Sequence, residues 1–326
     1  MTAALVILDK PSGLGSNAVL GRLKRLLGEP KMGFLGTLDP LASGVLPVFT
    51  GKATRLIALF EGLPKTYRVT VKLGERTDTF DAAGQVLERR SLDGLTEERV
   101  RAAIAGRAGR QRQAVPAFSA VKVGGVPAYR LARQGAPVPE RVREVELWDL
   151  AVEEVRLPEA TFRVSCSAGT YVRSLAEDLG RELGPGAHVT ALRRLACGRL
   201  FTLADSVTLE GIVEDLKTGQ QAFLRNPAAF LPEYQPLIVA AETEARLRDG
   251  RTVPLEEPPL EAPPLEEPPL VRNTDPAPFP AHEACAAWTL GQKVKALSRE
   301  GRLVAVGEVV AAAPGTLGFR PTRVLL

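Results

Sequence analysis

Alternation of apolar and polar positions along the chain predicts strands at several places. Over residues 65–73 the alternation is strict, because Tyr67 and Val69 belong to one apolar set while threonine, arginine and lysine fill the positions between. A period of two is typical of a strand with one face buried. The same pattern recurs over 161–167, and the short apolar run 5–8 predicts a further strand near the start of the chain.

Helical spacing of apolar residues predicts three further elements. We expect Asn17 to cap a helix that ends at Gly28. Thr170 is expected to cap a second helix, with Arg173 in its first turn. The helix dipole disfavours a cation there, which indicates an anionic partner for Arg173; a side chain that only reaches solvent is the alternative. Residues 188–199 predict a short amphipathic helix with paired arginines.

A stretch rich in glycine and proline, residues 33–55, contains one carboxylate, Asp39, between Leu38 and Pro40. Glycine and proline interrupt helices and strands, so we predict a shaped loop that leads into structure. A charge among apolar neighbours is costly unless another group pairs with it or uses it. Asp39 is therefore a candidate functional residue, and a simple turn initiated by Asp39 is the alternative.

Positive charge is concentrated between residues 105 and 143, where eight basic residues stand against one acid, Glu140. The basic residues are Arg107, Arg110, Arg112, Lys122, Arg130, Arg133, Arg141 and Arg143. Phe118 and Tyr129 are interleaved with them and offer stacking surfaces beside phosphate-binding cations. The segment predicts contact with nucleic acid, and a solvated basic surface is the alternative.

The composition of the whole chain narrows the class of protein. With 326 residues, the chain is long enough for about two domains, and a net charge of +4 permits a polyanionic partner without demanding one. Three scattered cysteines and two histidines suggest neither a disulfide framework nor a zinc site, so we expect chemistry without metal or cofactor.

The N-terminal run resembles neither a signal peptide nor a membrane span, which predicts a cytoplasmic protein without membrane contact. The sequence contains no heptad repeat that would indicate self-association, so a monomer is expected.

The composition changes after Pro236. Residues 255–269 repeat L-E-[EA]-P-P three times, which favours an extended acidic spacer, placed at about 254–280. Beyond it, residues 288–326 show short alternating runs that predict a small β-barrel.

Several motifs together resemble one known family. The run G-x-x-G-T-L-D-P-x-A-x-G-V-L-P-V-x-x-G-x-A-T-R at 33–55 closely resembles the active-site motif of the TruB family of bacterial tRNA pseudouridine synthases. K-x-Y-R-V at 65–69 and G-T-Y-V-R-S at 169–174 are similar to that family's second and third motifs, and V-P-A-F-S-A-V-K-V at 115–123 resembles its RNA-gripping insertion. The resemblance covers most of residues 5–200.

This resemblance implies a fold and a domain organisation. The expected class is α+β, with a central mixed, mainly antiparallel sheet flanked by helices. Residues 1–236 would form the catalytic domain, with the RNA-gripping insertion at about 105–143. Residues 237–326 weakly resemble a PUA-like β-barrel domain, interrupted by the spacer.

The resemblance also implies the site residues. Asp39 corresponds to the catalytic aspartate, Arg173 to its arginine partner and Tyr67 to the tyrosine that lies against the target base, while Lys10 falls near the substrate. The family's motif usually reads G-H-x-G, whereas Phe34 stands at the histidine position. We therefore expect Phe34 to act by stacking rather than by proton transfer.

The function implied is isomerisation of the T-loop uridine of tRNA to pseudouridine, by base flipping and without a cofactor, with the tRNA T-arm as partner. The residues expected to bind RNA are Arg107, Arg110, Arg112, Lys122, Tyr129, Arg130, Arg133, Arg193 and Arg194. Two alternatives remain open: a non-catalytic RNA-binding or RNA-folding protein, and a related synthase with another RNA substrate. Phosphate contacts would explain the basic segment equally well in the non-catalytic protein, so only the chemistry separates that alternative from a synthase.

Overall fold

A computed structural model describes residues 3–255 and 287–326 of the chain. Its strands are β1 (Leu5–Lys10), β2 (Met32–Phe34), β3 (Ser43–Thr50), β4 (Lys65–Leu73), β5 (Glu75–Thr77), β6 (Val86–Arg89), β7 (Gly109–Ala114), β8 (Lys122–Val123), β9 (Val126–Pro127), β10 (Val142–Arg156), β11 (Glu159–Cys166), β12 (Ala187–Cys197), β13 (Phe201–Thr202), β14 (Gln235–Ile238), β15 (Val253–Pro254), β16 (Lys293–Leu297), β17 (Leu303–Ala313) and β18 (Thr316–Val324). The helices are α1 (Ser16–Leu27), α2 (Ile57–Phe60), α3 (Glu97–Ala105), α4 (Ala128–Arg133), α5 (Val172–Leu183), α6 (Leu209–Lys217) and α7 (Ala241–Arg248). None of these helices is long and apolar enough to cross a membrane.

The large sheet is built around the strictly alternating strand β4. The strand order is β1-β3-β12-β4-β11-β10-β7, with β2 paired to β3 and β13 to β12. Neighbours run antiparallel except β3 and β12, which are parallel. Tyr67, Val69 and Val71 of β4 are buried as their alternation predicts. The sheet is thus mixed and mainly antiparallel.

The prediction of a helix over residues 188–199 is wrong, because this segment forms strand β12. The strand lies between β4 and β3 and is hydrogen-bonded to both, so tertiary pairing outweighs the short helical pattern of its apolar residues. In this strand the two adjacent arginines differ strongly in burial. Arg194 is buried at 1% exposure, whereas the Arg193 side chain is 40% exposed.

The prediction of a loop over the whole of 33–55 is also too broad. Residues 43–50 form β3, buried from Gly44 onward, because the apolar run V-L-P-V-F favours a central strand despite its proline. Gly44 has φ +103, and a Cβ there would lie 2.1 Å from the Arg194 carbonyl oxygen. Glycine thus permits the close approach of β3 to β12, which sets the loop before β3 against the middle of the sheet.

Two predicted helix caps are shifted by one or two residues. Gly15 rather than Asn17 precedes α1, although Gly28 ends this helix with φ 62 as predicted. Tyr171 rather than Thr170 precedes α5. Arg173 still lies in the first turn of α5, as its spacing predicts.

The C-terminal part forms a separate five-stranded sheet in the order β14-β16-β17-β18-β15. Strand β14 spans the predicted domain boundary at residue 236. Buried Lys295 of β16 donates to the carbonyls of Ala228 and Leu231, which tie this sheet to the segment before it. Apart from residues 254 and 255, the predicted spacer 254–280 lies outside the described residues.

Candidate active site

Asp39 lies in the loop between β2 and β3, and the chain around it is fixed by the first residue of α1 and by the turn that precedes this helix. Ser16 Oγ accepts from the Leu38 amide and donates to the Leu38 carbonyl, at 2.8 and 2.9 Å. The Gly13 amide donates to the Pro40 carbonyl at 2.8 Å. The carboxylate itself is 39% exposed. Asp39 is therefore held in place and still open to a ligand.

Arg173 provides the ion pair of Asp39 and is itself buried, with a side chain 6% exposed. Its Nε donates to Asp39 Oδ2 at 2.8 Å. Its Nη1 donates to the Thr79 carbonyl and its Nη2 to the Phe118 carbonyl, each at 2.9 Å. The guanidinium thus joins three loops by one contact each, rather than making a two-point pair with the carboxylate. This geometry fixes the direction in which Nε meets Asp39.

A second carboxylate, Asp81, approaches the same guanidinium, with Oδ2 3.8 Å from Arg173 Nε. It is buried, and its Oδ1 accepts from Thr79 Oγ1 at 2.6 Å and from the Ala83 amide at 3.0 Å. Sequence reasoning missed Asp81 as a site residue. The available signal was the polar run T-D-T-F-D at 77–81, whose last acid is placed beside Arg173 only by the fold.

Tyr67 lies on β4 opposite Arg194 of β12. Burial raises the pKa of Tyr67 to about 12, an effect that the nearby Arg194 guanidinium partly opposes. The phenol is therefore neutral at physiological pH. Arg194 donates to the carbonyls of Val45 at 2.7 Å and Gly36 at 3.0 Å. Its predicted role in RNA binding is contradicted by its burial, since these contacts hold the loop before β3.

Lys10, at the end of β1, is fully buried, and its ammonium donates to the carbonyls of Pro11 and Leu14. Burial lowers the pKa of Lys10 to about 8, while the charge of Asp39 acts in the opposite direction. Lys10 is thus close enough to Asp39 to interact with it electrostatically, as a cation below pH 8.

A pH dependence of stability follows from Lys10. Between about pH 8 and 10.5 the unfolded chain keeps the proton that the folded chain has released, so the unfolding free energy rises with pH. The shift from 10.5 to about 8 corresponds to roughly 3 kcal/mol. Denaturant unfolding at several pH values should show a smaller rise in Lys10→Met than in the natural chain, because Lys295, whose pKa burial also lowers to about 8, contributes a rise of its own. Parallel pH profiles of the two proteins would contradict the assignment.

Phe34, at the end of β2, is half-buried and packs against the main apolar core. It pairs with Val48 of β3 in antiparallel register. The aromatic ring is thus part of the wall from which the Asp39 loop departs, with part of its surface free to meet a ligand.

The cations of the insertion fall into separate groups. Arg107 donates to the Asp178 carbonyl at 2.7 Å and contacts Glu182 at 2.6 Å, so it is engaged by α5. Arg110 and Arg112 of β7 are exposed but lie opposite Glu146 and Glu144 of β10, which reduces the local positive charge.

Lys122, Arg130 and Arg133 are exposed and no ion pair engages them in the described part of the chain. Arg133 lies over the ring of Tyr129, with its guanidinium carbon 5.6 Å from the ring centre. Arg193, on strand β12, donates to Asp9 Oδ2 at 2.7 Å. Lys122, Arg130 and Arg133 are therefore the cations of the predicted RNA-binding set that are most available to phosphate.

Two protein-family models match this chain, one after the other along the sequence. A model of the TruB family pseudouridylate synthase N-terminal domain matches residues 24–172, and one of the tRNA pseudouridylate synthase B C-terminal domain matches residues 173–227. The chain is 40% identical over 253 residues to the tRNA pseudouridine synthase B of Geotalea uraniireducens, covering 77% of this chain and 81% of the relative. It is 44% identical over 252 residues to that of Burkholderia lata, covering 77% of each.

Two solved structures share the fold over 99% of this chain. One is a Cbf5-Nop10-Gar1 complex, with a TM-score of 0.64, 24% identity and 85% of that chain covered. The other is an H/ACA RNP bound to a substrate RNA containing 2′-deoxyuridine, with a TM-score of 0.63, 22% identity and the same coverage. The predicted fold class, a mixed sheet flanked by helices with a small C-terminal β-domain, is confirmed by this likeness and by the topology.

Proposed function

The chain belongs to the TruB family and is a tRNA pseudouridine synthase, and we propose that it isomerises the T-loop uridine of tRNA with Asp39 as the catalytic residue. The observation that carries the proposal is the 2.8 Å contact between buried Arg173 and the partly exposed carboxylate of Asp39. An anion fixed by a buried guanidinium, yet open on one side, can meet a nucleotide drawn out of its hairpin.

The reaction is an isomerisation in which every atom of the uridine is accounted for. The bond from ribose C1′ to uracil N1 breaks, the base turns, and a bond from C1′ to C5 forms. The proton on C5 leaves and N1 regains one. These steps require an ionised carboxylate beside the sugar and a pocket that retains the free base. Asp39, paired with the Arg173 guanidinium, supplies the carboxylate.

The neighbouring side chains have supporting roles in this proposal. Tyr67 lies against the flipped uracil as a neutral phenol, in accord with its pKa of about 12. Phe34 stacks on an extruded or adjacent base. Lys10 supplies positive charge near Asp39, and Asp81, with Oδ2 3.8 Å from Arg173 Nε, places a second carboxylate beside the guanidinium.

Binding of the T-arm is assigned to the insertion. Its exposed cations Lys122, Arg130 and Arg133, with the ring of Tyr129 among them, suit the phosphates and bases of a hairpin. In this proposal residues 1–236 form the catalytic domain and residues 237–326 a PUA-like domain. We further infer a cytoplasmic location, since tRNA is the substrate of the relatives' named activity, and we keep the expectation of a monomer.

Replacing Arg130 and Arg133 together by alanine should weaken tRNA binding and flatten its salt dependence. Each lost phosphate contact lowers the slope of log K against log salt concentration by roughly 0.7–0.9. Titration of tRNA at several salt concentrations measures the slope. Arg107→Ala is the matched control, since that arginine is bound to Glu182, and it should leave the slope unchanged. Equal slopes in all three proteins would exclude the insertion as the phosphate-binding surface.

The proposed substrate is tested with two synthetic RNA hairpins of equal length, a T-arm stem-loop and an anticodon stem-loop. After incubation with the protein, each is digested to nucleosides and separated by chromatography. Pseudouridine should appear in the T-arm digest alone. Conversion of the anticodon hairpin only would assign another RNA site, and binding without conversion of either would favour a non-catalytic RNA-binding role.

A further inference from the structure

The stem of the insertion is fastened to the first turn of α5 by three hydrogen bonds. The Tyr171 amide donates to Gln113 Oε1 at 2.7 Å, and Ser174 Oγ donates to the Ala114 carbonyl at 2.8 Å. Arg173, which lies between these two residues, donates to the Phe118 carbonyl at 2.9 Å. Residues 113–118 therefore contact the same helical turn that carries the partner of Asp39.

Within residues 113–118, Gln113 is the residue whose side chain accepts from the backbone amide of Tyr171, immediately before α5. It is 0% exposed, on the edge strand β7. Only its oxygen is engaged: Nε2 is buried without a hydrogen-bond partner among the described residues. Burial of an unpaired amide donor is unfavourable, so a glutamine at this position needs a compensating contact. The hydrogen bond from the Tyr171 amide to its oxygen is that contact.

The hydrogen bond between Tyr171 and Gln113 also restrains the start of α5. Tyr171 is the residue before α5, and its own side chain does not cap the helix. The first amides of a helix lack partners within it, so an acceptor from outside restrains the position of the first turn. Any movement of that turn would shift Arg173 against the Asp39, Thr79 and Phe118 oxygens that surround it.

We propose that Gln113 is a positioning residue: it holds the first turn of α5 against the stem of the insertion, so that the Arg173 guanidinium meets Asp39 in the reactive direction. The proposal rests on the proposed function for its effect on rate, but the tether itself is a property of the fold. In the described structure the Gln113 side chain makes no hydrogen bond to Asp39, Lys122, Arg130 or Arg133, so it is expected to act on the reaction step rather than on RNA affinity.

Strand β7 supplies a matched control two residues away. Gln111 lies on the same face of β7 as Gln113, because side chains alternate along a strand. Its Nε2 donates to the Arg107 carbonyl at 2.9 Å, within the insertion, and not to α5. Gln111→Met therefore removes the same kind of side chain from the same strand without touching the tether.

The test compares Gln113→Met, Gln113→Glu and Gln111→Met by two readouts. Hydrogen exchange followed by mass spectrometry reports on a peptide spanning residues 168–176, and single-turnover conversion of a saturating T-arm stem-loop reports on rate. Gln113→Met should exchange faster in that peptide and lose about 2- to 12-fold in rate, the effect of one net hydrogen bond. The dissociation constant for the RNA should stay within two-fold. Gln113→Glu, which retains an acceptor oxygen, should restore both properties, and Gln111→Met should change neither.

A double-mutant cycle shows whether the effect passes through Arg173. In an Arg173→Lys background, Gln113→Met should cause no further loss of rate. The proposal is overturned if Gln113→Met exchanges like the natural chain, or if its rate falls no further than that of Gln111→Met. If Gln113→Met does not fold, Ser174→Ala tests the neighbouring bond of the same tether. A natural chain that makes no pseudouridine would refute the proposed function, while the exchange readout still decides on the tether.

Discussion

Asp39→Asn should reduce single-turnover formation of pseudouridine by about 10³-fold or more, because an amide can neither ionise nor attack and cannot accept a proton as a carboxylate does. RNA affinity should not fall, since the change removes a negative charge that faces a polyanion. Both quantities can be measured on one T-arm stem-loop, by nucleoside chromatography and by equilibrium binding.

The control for this variant is Asp93→Asn, which removes an exposed carboxylate from a surface loop without contact to Arg173. It should retain the natural rate. An Asp39→Asn protein that converts RNA at a rate within ten-fold of the natural chain would remove Asp39 from the chemistry, whatever the motif suggests.

Arg173→Lys should lower the single-turnover rate by about 10²-fold, the second largest effect we expect. A lysine ammonium keeps the charge but cannot direct separate N–H groups to Asp39, Thr79 and Phe118. Two backbone carbonyls would lose a buried donor, so thermal stability should also fall, and the rate is therefore compared well below the unfolding temperature.

Arg181→Lys is the matched control for this second variant. It lies on the same helix, its side chain is 69% exposed, and it pairs with Asp178 at 3.4 Å on the surface. Rate and stability should both stay close to those of the natural chain. If Arg173→Lys were equally silent, Arg173 would have no role in orienting Asp39.

Local pattern predicted the elements whose burial follows one simple period. The alternation in residues 65–73 matches β4 residue for residue, since one face of that strand packs into the main apolar core. Strand β12 was missed because its apolar residues also fit a helical turn, and only pairing with β3 and β4 decides between the two. That error concealed the difference between Arg193 and Arg194, which adjoin in sequence but differ in burial.

The candidate site shows a similar division. The pairing of Asp39 with Arg173 was expected from their motifs and their places on a loop and a helix start, and the structure brings them together. Asp81 and Gln113 could not be found in this way. Each is one polar residue among several in its segment. Asp81 contacts Arg173, and Gln113 contacts the residue before α5, although the two partners of each pair are far apart in the sequence. Local pattern does not show which distant segments the fold brings together.

The sequence showed that the insertion is basic, but it did not show which of its cations are exposed and which are engaged by acids. Arg107 and Lys122 look alike in sequence, yet one is bound to Glu182 and the other is exposed. The acids that engage or oppose the arginines lie outside the insertion, on α5 and β10. A count of charges within one segment cannot include them.

The most direct test of the central claim is release of tritium from tRNA that carries the label at C5 of its T-loop uridine. Formation of the new bond at C5 must expel the label, so the natural chain should release one tritium for each tRNA converted. Asp39→Asn should bind the same tRNA and release none above background. Tight binding by the natural chain without release, or equal release by both proteins, would contradict the account.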